Sequence, residues 1–355
     1  MPAKQITDET CQTIVQALHA NGHNLTAATA SLGISRSTGQ HHMQTAIARG
    51  LYRRVRAAIG SEIAVAAPPA APDGETIDEL IARKKLRMNR SNAHEAWAKL
   101  IDVQVKTPGP IGLFLVGDPH VDDDHCDIGQ LEHDLSTVGR THGFYAGHLG
   151  DLTNNWVGRL QRLYAHQSVR FDEGLKLTEW MLDLAPNLFV VGGNHDCWEK
   201  GMDLLRFITR QGATTGHLQA HGARMALRWP GGQEIRIHAR HDFPGKSQFS
   251  DTHGMKRELL FGHRDHILVC GHTHVDEARI EPSIDGEVHW LFRVSGYKIV
   301  DEYAKEHNFR PKKLAPGVSV VIDPTQSVPA ERVKPFWCVE RAADYLTFAR
   351  KKASK

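Results

Sequence analysis

The chain has 355 residues, 41% hydrophobic and 24% charged, with a formal net charge of +2 at pH 7, so a disordered chain is excluded and one sizeable domain plus a smaller attachment is expected. Its five cysteines, Cys11, Cys126, Cys197, Cys270 and Cys338, lack paired spacing, which argues against a disulfide framework and a cysteine-rich zinc site. No signal-like start and no apolar run near the roughly 18 residues of a membrane span are found, so a soluble cytoplasmic protein without a membrane partner is expected.

Residues 1–60 read as a helix-turn-helix domain. An amphipathic helix covers 9–18, and two short helical patterns in 25–49 are separated by Leu32-Gly33-Ile34-Ser35. Glycine permits the tight turn and Ser35 can cap the helix that follows. Residues 35–48 would be the recognition element, with Arg36, Ser37, Thr38, Gln40, His41 and Gln44 facing nucleic acid and Arg49, Arg53, Arg54 and Arg56 meeting phosphates. Two departures stand out: Gly39 where such helices carry an apolar residue, and Thr29 where a small alanine is usual. A helical bundle for dimerisation or protein contact is the alternative.

Residues 61–76 are rich in Ala and Pro, a linker that breaks helices and stiffens extended chain. Residues 77–106 then form a connecting helix bearing Arg83, Lys84, Lys85, Arg87 and Arg90, either a solvated face or a phosphate-contacting arm.

Within residues 107–355 the apolar runs at 111–116, 144–149, 187–191 and 266–270 are short enough for buried strands. Each is followed by a glycine and a polar motif: Gly117-Asp118-Pro119-His120, Gly150-Asp151-Leu152-Thr153-Asn154, Gly193-Asn194-His195-Asp196 and Gly271-His272-Thr273-His274. Helical spacing at 131–139, 160–184 and, more briefly, 201–210 separates them. Ligands in open α/β sheets sit at the strands' C-terminal ends, where these side chains would project. Singly, Gly150-Asp151 would be turn chemistry; jointly, the motifs supply carboxylate, amide and imidazole groups suited to two adjacent metal ions.

These motifs, in this order, resemble those of the calcineurin-like metallophosphoesterases over about residues 111–324. The segments Asn154 to Arg159 and Arg240 to Ser247 further resemble phage and prophage members, in which a leading helix-turn-helix is not unusual. The resemblance implies an α/β fold, a two-sheet αββα sandwich behind the small all-α domain. It implies that Asp151 bridges the metals, with Asp118, His120 and His274 on one and Asn194, His241 and His272 on the other. It also makes His195 the general acid, its ring oriented by Asp196 or a backbone group; Asn154 is a candidate to touch the substrate or a water behind the metal ligands. His238 and His241 are both candidates for the isolated histidine. Strand alternation places them on opposite faces, and His241 ends its run just before a turn, as the other motifs do.

Runs at 287–294 and 317–322 supply further strands for the second sheet, and 342–352 closes the chain as a helix. The expected activity is hydrolysis of phosphodiesters, with DNA brought by the first domain as substrate, and two divalent ions, manganese first and iron or zinc next. A phosphomonoesterase or small-molecule phosphodiesterase, or a DNA-binding regulator with a structural metal, are the alternatives.

Overall fold

A computed structural model describes residues 6–52, 75–198, 205–206, 216–299 and 315–354, in two units, Met1–Leu80 and Ile81–Lys355. The first unit is built from short, well-capped helices. Thr7, Asn24 and Ser35 accept backbone N–H groups at the starts of α1 (Asp8–Ala20), α2 (Leu25–Ser31) and α3 (Arg36–Ala48). Such caps each stabilise a helix by about 1 kcal/mol. Ile14, Leu18, Ala28 and Met43 close a small core.

The two unusual residues of this unit meet. A Cβ on Gly39 would lie 2.1 Å from Cγ2 of Thr29, so the threonine methyl occupies the space that glycine leaves. Thr29 is held there by its hydroxyl, which donates to the carbonyls of Leu25 and Thr26. Arg49, expected to meet phosphates, pairs with Asp8 at 2.6 Å at the surface of this unit. Arg53, Arg54 and Arg56 lie outside the described residues.

Helix α4 (Ile77–Ala98) exposes the described basic side chains between 83 and 90. It is shorter than expected. The next residues form strand β1 (Ile101–Gln104), with Ile101 buried and Asp102 exposed in the alternation a strand requires, so the sheet domain begins within the segment read as connecting helix.

Two six-stranded sheets follow. One has the order β1-β6-β7-β8-β10-β9, comprising β6 (Gly222–Arg228), β7 (Glu234–Arg240), β8 (Ile267–Cys270), β9 (Glu277–Pro282) and β10 (Val288–Arg293) beside β1. The other has the order β12-β11-β2-β3-β4-β5, from β2 (Ile111–Val116), β3 (Phe144–His148), β4 (Asn187–Gly192), β5 (His217–Ala220), β11 (Gly317–Ile322) and β12 (Val333–Phe336). Strands β2 to β5 run parallel, so their C-terminal ends share one rim.

The main core lies between the sheets. It joins Leu113, Leu115, Phe189, Val191 and Val320 of one to Met225, Leu227, Ile237, Val269 and Phe292 of the other, and each such side chain contributes roughly 1.5–3 kcal/mol by leaving water. Helices α5 (Ile128–Arg140) and α6 (Phe171–Asp183), with the C-terminal helix, bury Leu131, Leu135, Met181 and Leu346 on the outer face of the second sheet. On the first sheet's outer face, Met255 and Leu259 pack with Phe243, Leu268 and Leu291. The layers are therefore helix, sheet, sheet, helix, as expected. The helical stretch expected at 160–184 is divided into a 3₁₀ segment, Gly158–His166, and α6, because Gln167 is drawn aside to bond Asp122 and Asn154. Of 201–210, only Leu205 and Arg206 are described.

Candidate dinuclear metal centre

Loops from both sheets meet at the rim. The loop after β2 runs along the loop after β3: the N–H groups of Asp118, His120 and Val121 donate to the carbonyls of Gly150, Asp151 and Leu152. The loop after β8 is tied to the end of β7 by Gly271 N–H donating to the His241 carbonyl. Helix α7 (Asn194–Cys197) starts at the end of β4.

Backbone strain marks the same residues. Asp118, His120, Asp151, His272 and His274 all have positive φ, between 42° and 73°, and among the described residues only His23, Asn155 and His221 are other non-glycine examples. Each such conformation costs on the order of 1–3 kcal/mol and persists where the surroundings enforce it.

Asp118, His120 and His274 bring one ligand atom each within 4.8 Å of the others. Asp118 is fully buried and His120 nearly so, yet Oδ1 of Asp118 and both ring nitrogens of His120 have no hydrogen-bond partner. Burial pushes the Asp118 carboxyl up to about 7, with His241 opposing and Asp151 adding to the rise. Burial, then the nearby Lys298 charge, pushes His120 well below its ordinary value. A buried carboxylate oxygen and a neutral imidazole left unpartnered are costly groups, and a divalent cation is the partner both fit.

Asp151, His241 and His272 make the second group. Nδ1 of His241 donates to the Leu149 carbonyl at 2.8 Å, which directs the other ring nitrogen inward. Around that Nε2 lie Asn194 Oδ1 at 2.9 Å, His272 Nδ1 at 2.9 Å and Asp151 Oδ2 at 3.3 Å. Burial disfavours charge on His241, but the Asp151 and Asp118 carboxylates outweigh it and raise the ring to about 10. Four acceptor-type atoms converging around a site that attracts positive charge again suit a cation. The Asp151 carboxylate lies against Gly193, where a Cβ would come within 2.1 Å of Oδ1; only glycine allows β4 to approach this closely.

The structure thus brings together all seven residues expected as ligands, and of the two candidate histidines it is His241 that joins them. His238 faces away from the rim, beside Phe243. It lies on the outer face of β7, whereas Ile237 and Ala239 point into the inter-sheet core.

His195 stands beside both groups, its Nε2 3.8 Å from Asp151 Oδ2. Its Nδ1 hydrogen-bonds the Asn154 carbonyl, which leaves Nε2 as the nitrogen facing the centre. Burial lowers its pKa and Asp151 pulls the other way. Two expectations are corrected here. Asp196 does not orient the ring: its buried carboxylate accepts the N–H groups of Asp151, Leu152 and Gly193 and so braces the loop carrying Asp151. Asn154 is fully buried, and its side chain is consumed by Asp123, Gln167 and Lys298, so it positions His195 through its carbonyl rather than touching substrate.

Several contributors were not read from the sequence. Trp156 and Trp198 flank the His195 ring, with centroids 5.2 and 4.0 Å away. Lys298, buried against Asp123 at 2.9 Å, lies over Trp156. Arg293 donates to the Gly271 carbonyl and Thr273 Oγ1 while pairing with Asp242, fixing the loop that carries His272 and His274. Asp242 was legible as the neighbour of His241; Arg293 and Lys298, more than 50 residues away in sequence, carried no local signal.

No family model and no curated protein sequence matches the chain. Among solved structures it is similar to vacuolar protein sorting 29 from Cryptosporidium parvum, at 12% identity over 64% of this chain and 96% of that one, with a TM-score of 0.34. A predicted phosphoesterase from Streptococcus pneumoniae matches at 13% identity over 64% and 97%, TM-score 0.30. Zinc-complexed Vps29 from Entamoeba histolytica matches at 13% over the same shares, TM-score 0.30. Scores of this size carry no argument for activity or ligand, and the reading of the site rests on its own residues.

Proposed function

We propose that the protein is a dinuclear metal-dependent phosphoric ester hydrolase acting on phosphodiesters, with DNA as substrate. The observation that carries this is the unpartnered Asp118 Oδ1 and His120 ring beside the convergence on His241 Nε2, with Asp151 belonging to both neighbourhoods. Two divalent ions at such a site supply a hydroxide-like nucleophile at neutral pH and offset charge on the phosphoryl oxygens.

The chain's own residues do the rest. Asp118, His120 and His274 would hold one ion, Asn194, His241 and His272 the other, and Asp151 both. With Nδ1 of His195 donating to the Asn154 carbonyl, Nε2 is the nitrogen through which the cationic ring would pass its proton to the leaving oxygen, a contribution of typically 10²–10⁴-fold. Trp156 and Trp198 pack against that ring and hold it in place. DNA is favoured by the first unit, where Arg36, Ser37, Thr38, Gln40, His41 and Gln44 are all exposed along α3 in the arrangement a helix-turn-helix presents to a groove, and by the basic run of α4.

The test is manganese-dependent turnover of bis-p-nitrophenyl phosphate against p-nitrophenyl phosphate, then of supercoiled and linear DNA. Turnover of the diester and of DNA is expected. Turnover of the monoester alone removes the nuclease reading, and silence with manganese, iron and zinc leaves a DNA-binding regulator. His195→Ala should lower kcat by on the order of 10²-fold or more while elemental analysis finds its metal unchanged; loss of metal would make His195 a ligand instead.

A further inference from the structure

The outer face of the first sheet carries another cluster of side chains of metal-ligating type, separate from the rim. His238 on β7, Glu258 near the end of helix α8 (His253–Phe261) and His263 just beyond it each bring a ligand atom within 4.8 Å of the others. Glu258 Oε1 is 3.1 Å from His263 Nδ1 and 3.7 Å from His238 Nδ1. Those separations bracket the edge of a tetrahedron drawn with zinc–ligand bonds of about 2.0–2.1 Å, which is about 3.3 Å.

A second observation points to a ligand. His238 is only 6% exposed, and its Nδ1, turned toward Glu258, has no hydrogen-bond partner. The nearest other acid, Asp265, is 3.9 Å from that nitrogen but is held by Arg224 at 2.6 and 2.9 Å and approached by Arg236 at 3.5 Å. It is not free to satisfy the ring. His263 is about half exposed, so an ion can enter from solvent and keep water as its remaining ligand.

We propose that His238, Glu258 and His263 form a separate zinc site that ties the end of α8 to β7. Two imidazoles and a carboxylate form a donor set that zinc takes with water in fourth place, and the site needs none of the rim residues.

Zinc itself is the probe, on the full chain. After equilibration with zinc and dialysis, elemental analysis should find one zinc per chain fewer in His263→Ala than in the wild type, with diester turnover unchanged. In a chain whose rim is emptied by Asp118→Ala with His272→Ala, one zinc should remain, and adding His263→Ala should remove it. His263→Cys, which supplies a thiolate, should restore the zinc; a merely structural role for His263 would give no such rescue. Equal zinc in the wild type and His263→Ala, or no zinc held by the rim-emptied chain, overturns the site.

Discussion

The rim and the three-helix unit obey opposite rules. In the N-terminal unit, caps take up helix N–H groups, the core is apolar, and even the out-of-place Thr29 and Gly39 complete each other. At the rim, buried atoms of Asp118 and His120 have no partner, the Asp118 and Asp151 carboxylates oppose one another, and five side chains sit on strained backbone. Local consistency specifies a fold, and its violation in one place, enforced by well-packed sheets on either side, marks chemistry. The difference teaches that the rim carries a cost of burial that the helical unit does not.

The sharpest way to break that contrast is to remove rim charge. Asp151→Asn should empty both halves of metal and lower kcat/KM by on the order of 10³-fold or more, read by elemental analysis and diester turnover; full activity would remove the bridging assignment. Asp118→Asn should also lose activity yet raise the Tm of the metal-free protein at pH 8. The folded pKa of Asp118, about 7, lies above its ordinary 3.8, so the cost of burying its charge is fully present above pH 7 and fades toward pH 4. The stability gain of the Asn variant should follow that window; a variant less stable than wild type at pH 8 would mean the rim does not store this cost.

Much of this was legible beforehand. Strands ending in glycine before a polar motif announced the rim, because a buried parallel strand reads as a short apolar run, and the motifs named the residues that converge there. β1 was not legible, since Ile101 and Val103 follow a long helical pattern without a proline or glycine between. β5, β9 and β12 carry no strong apolar run: β9 is almost wholly exposed. The corrected roles of Asn154 and Asp196 depend on which backbone groups fold back onto them, and spacing holds no record of that. Gly39 and Thr29 looked like defects because a one-dimensional reading weighs them separately.

His148 sharpens the contrast as an orphan outside the rim. It is fully buried on β3; its Nε2 bonds Asn187 Oδ1 while Nδ1 has no partner. Burial lowers it to about 4, the Asn187 bond opposing. Because the unfolded chain takes up a proton near 6.5, this histidine's contribution is present above that pH and is lost as pH falls toward 4, on the order of 3 kcal/mol in full. Urea unfolding of metal-free protein at pH 7 to 4.5 should show a shallower pH slope for His148→Gln than for wild type. Identical slopes would assign the acid sensitivity elsewhere.

The smallest effect tests the helical unit's self-sufficiency. Alanine in a helix interior is favoured over glycine by about 1 kcal/mol, but at position 39 the new methyl meets Thr29 Cγ2, and overpacking of that kind costs about 1–3 kcal/mol. Thr29 cannot simply rotate away, because its hydroxyl is bonded within α2. Gly39→Ala alone should therefore destabilise the unit, and the same change made together with Thr29→Ala should be neutral or stabilising relative to Thr29→Ala. Hydrogen exchange of the α3 amides in the full chain reads this local stability directly, and the coupling between the two positions should fall within 0.5–3 kcal/mol, the range typical of residues in contact. Additive effects would mean that Thr29 and Gly39 are independent departures from the usual pattern, and the contrast between a self-consistent helical unit and a strained rim would lose its best example.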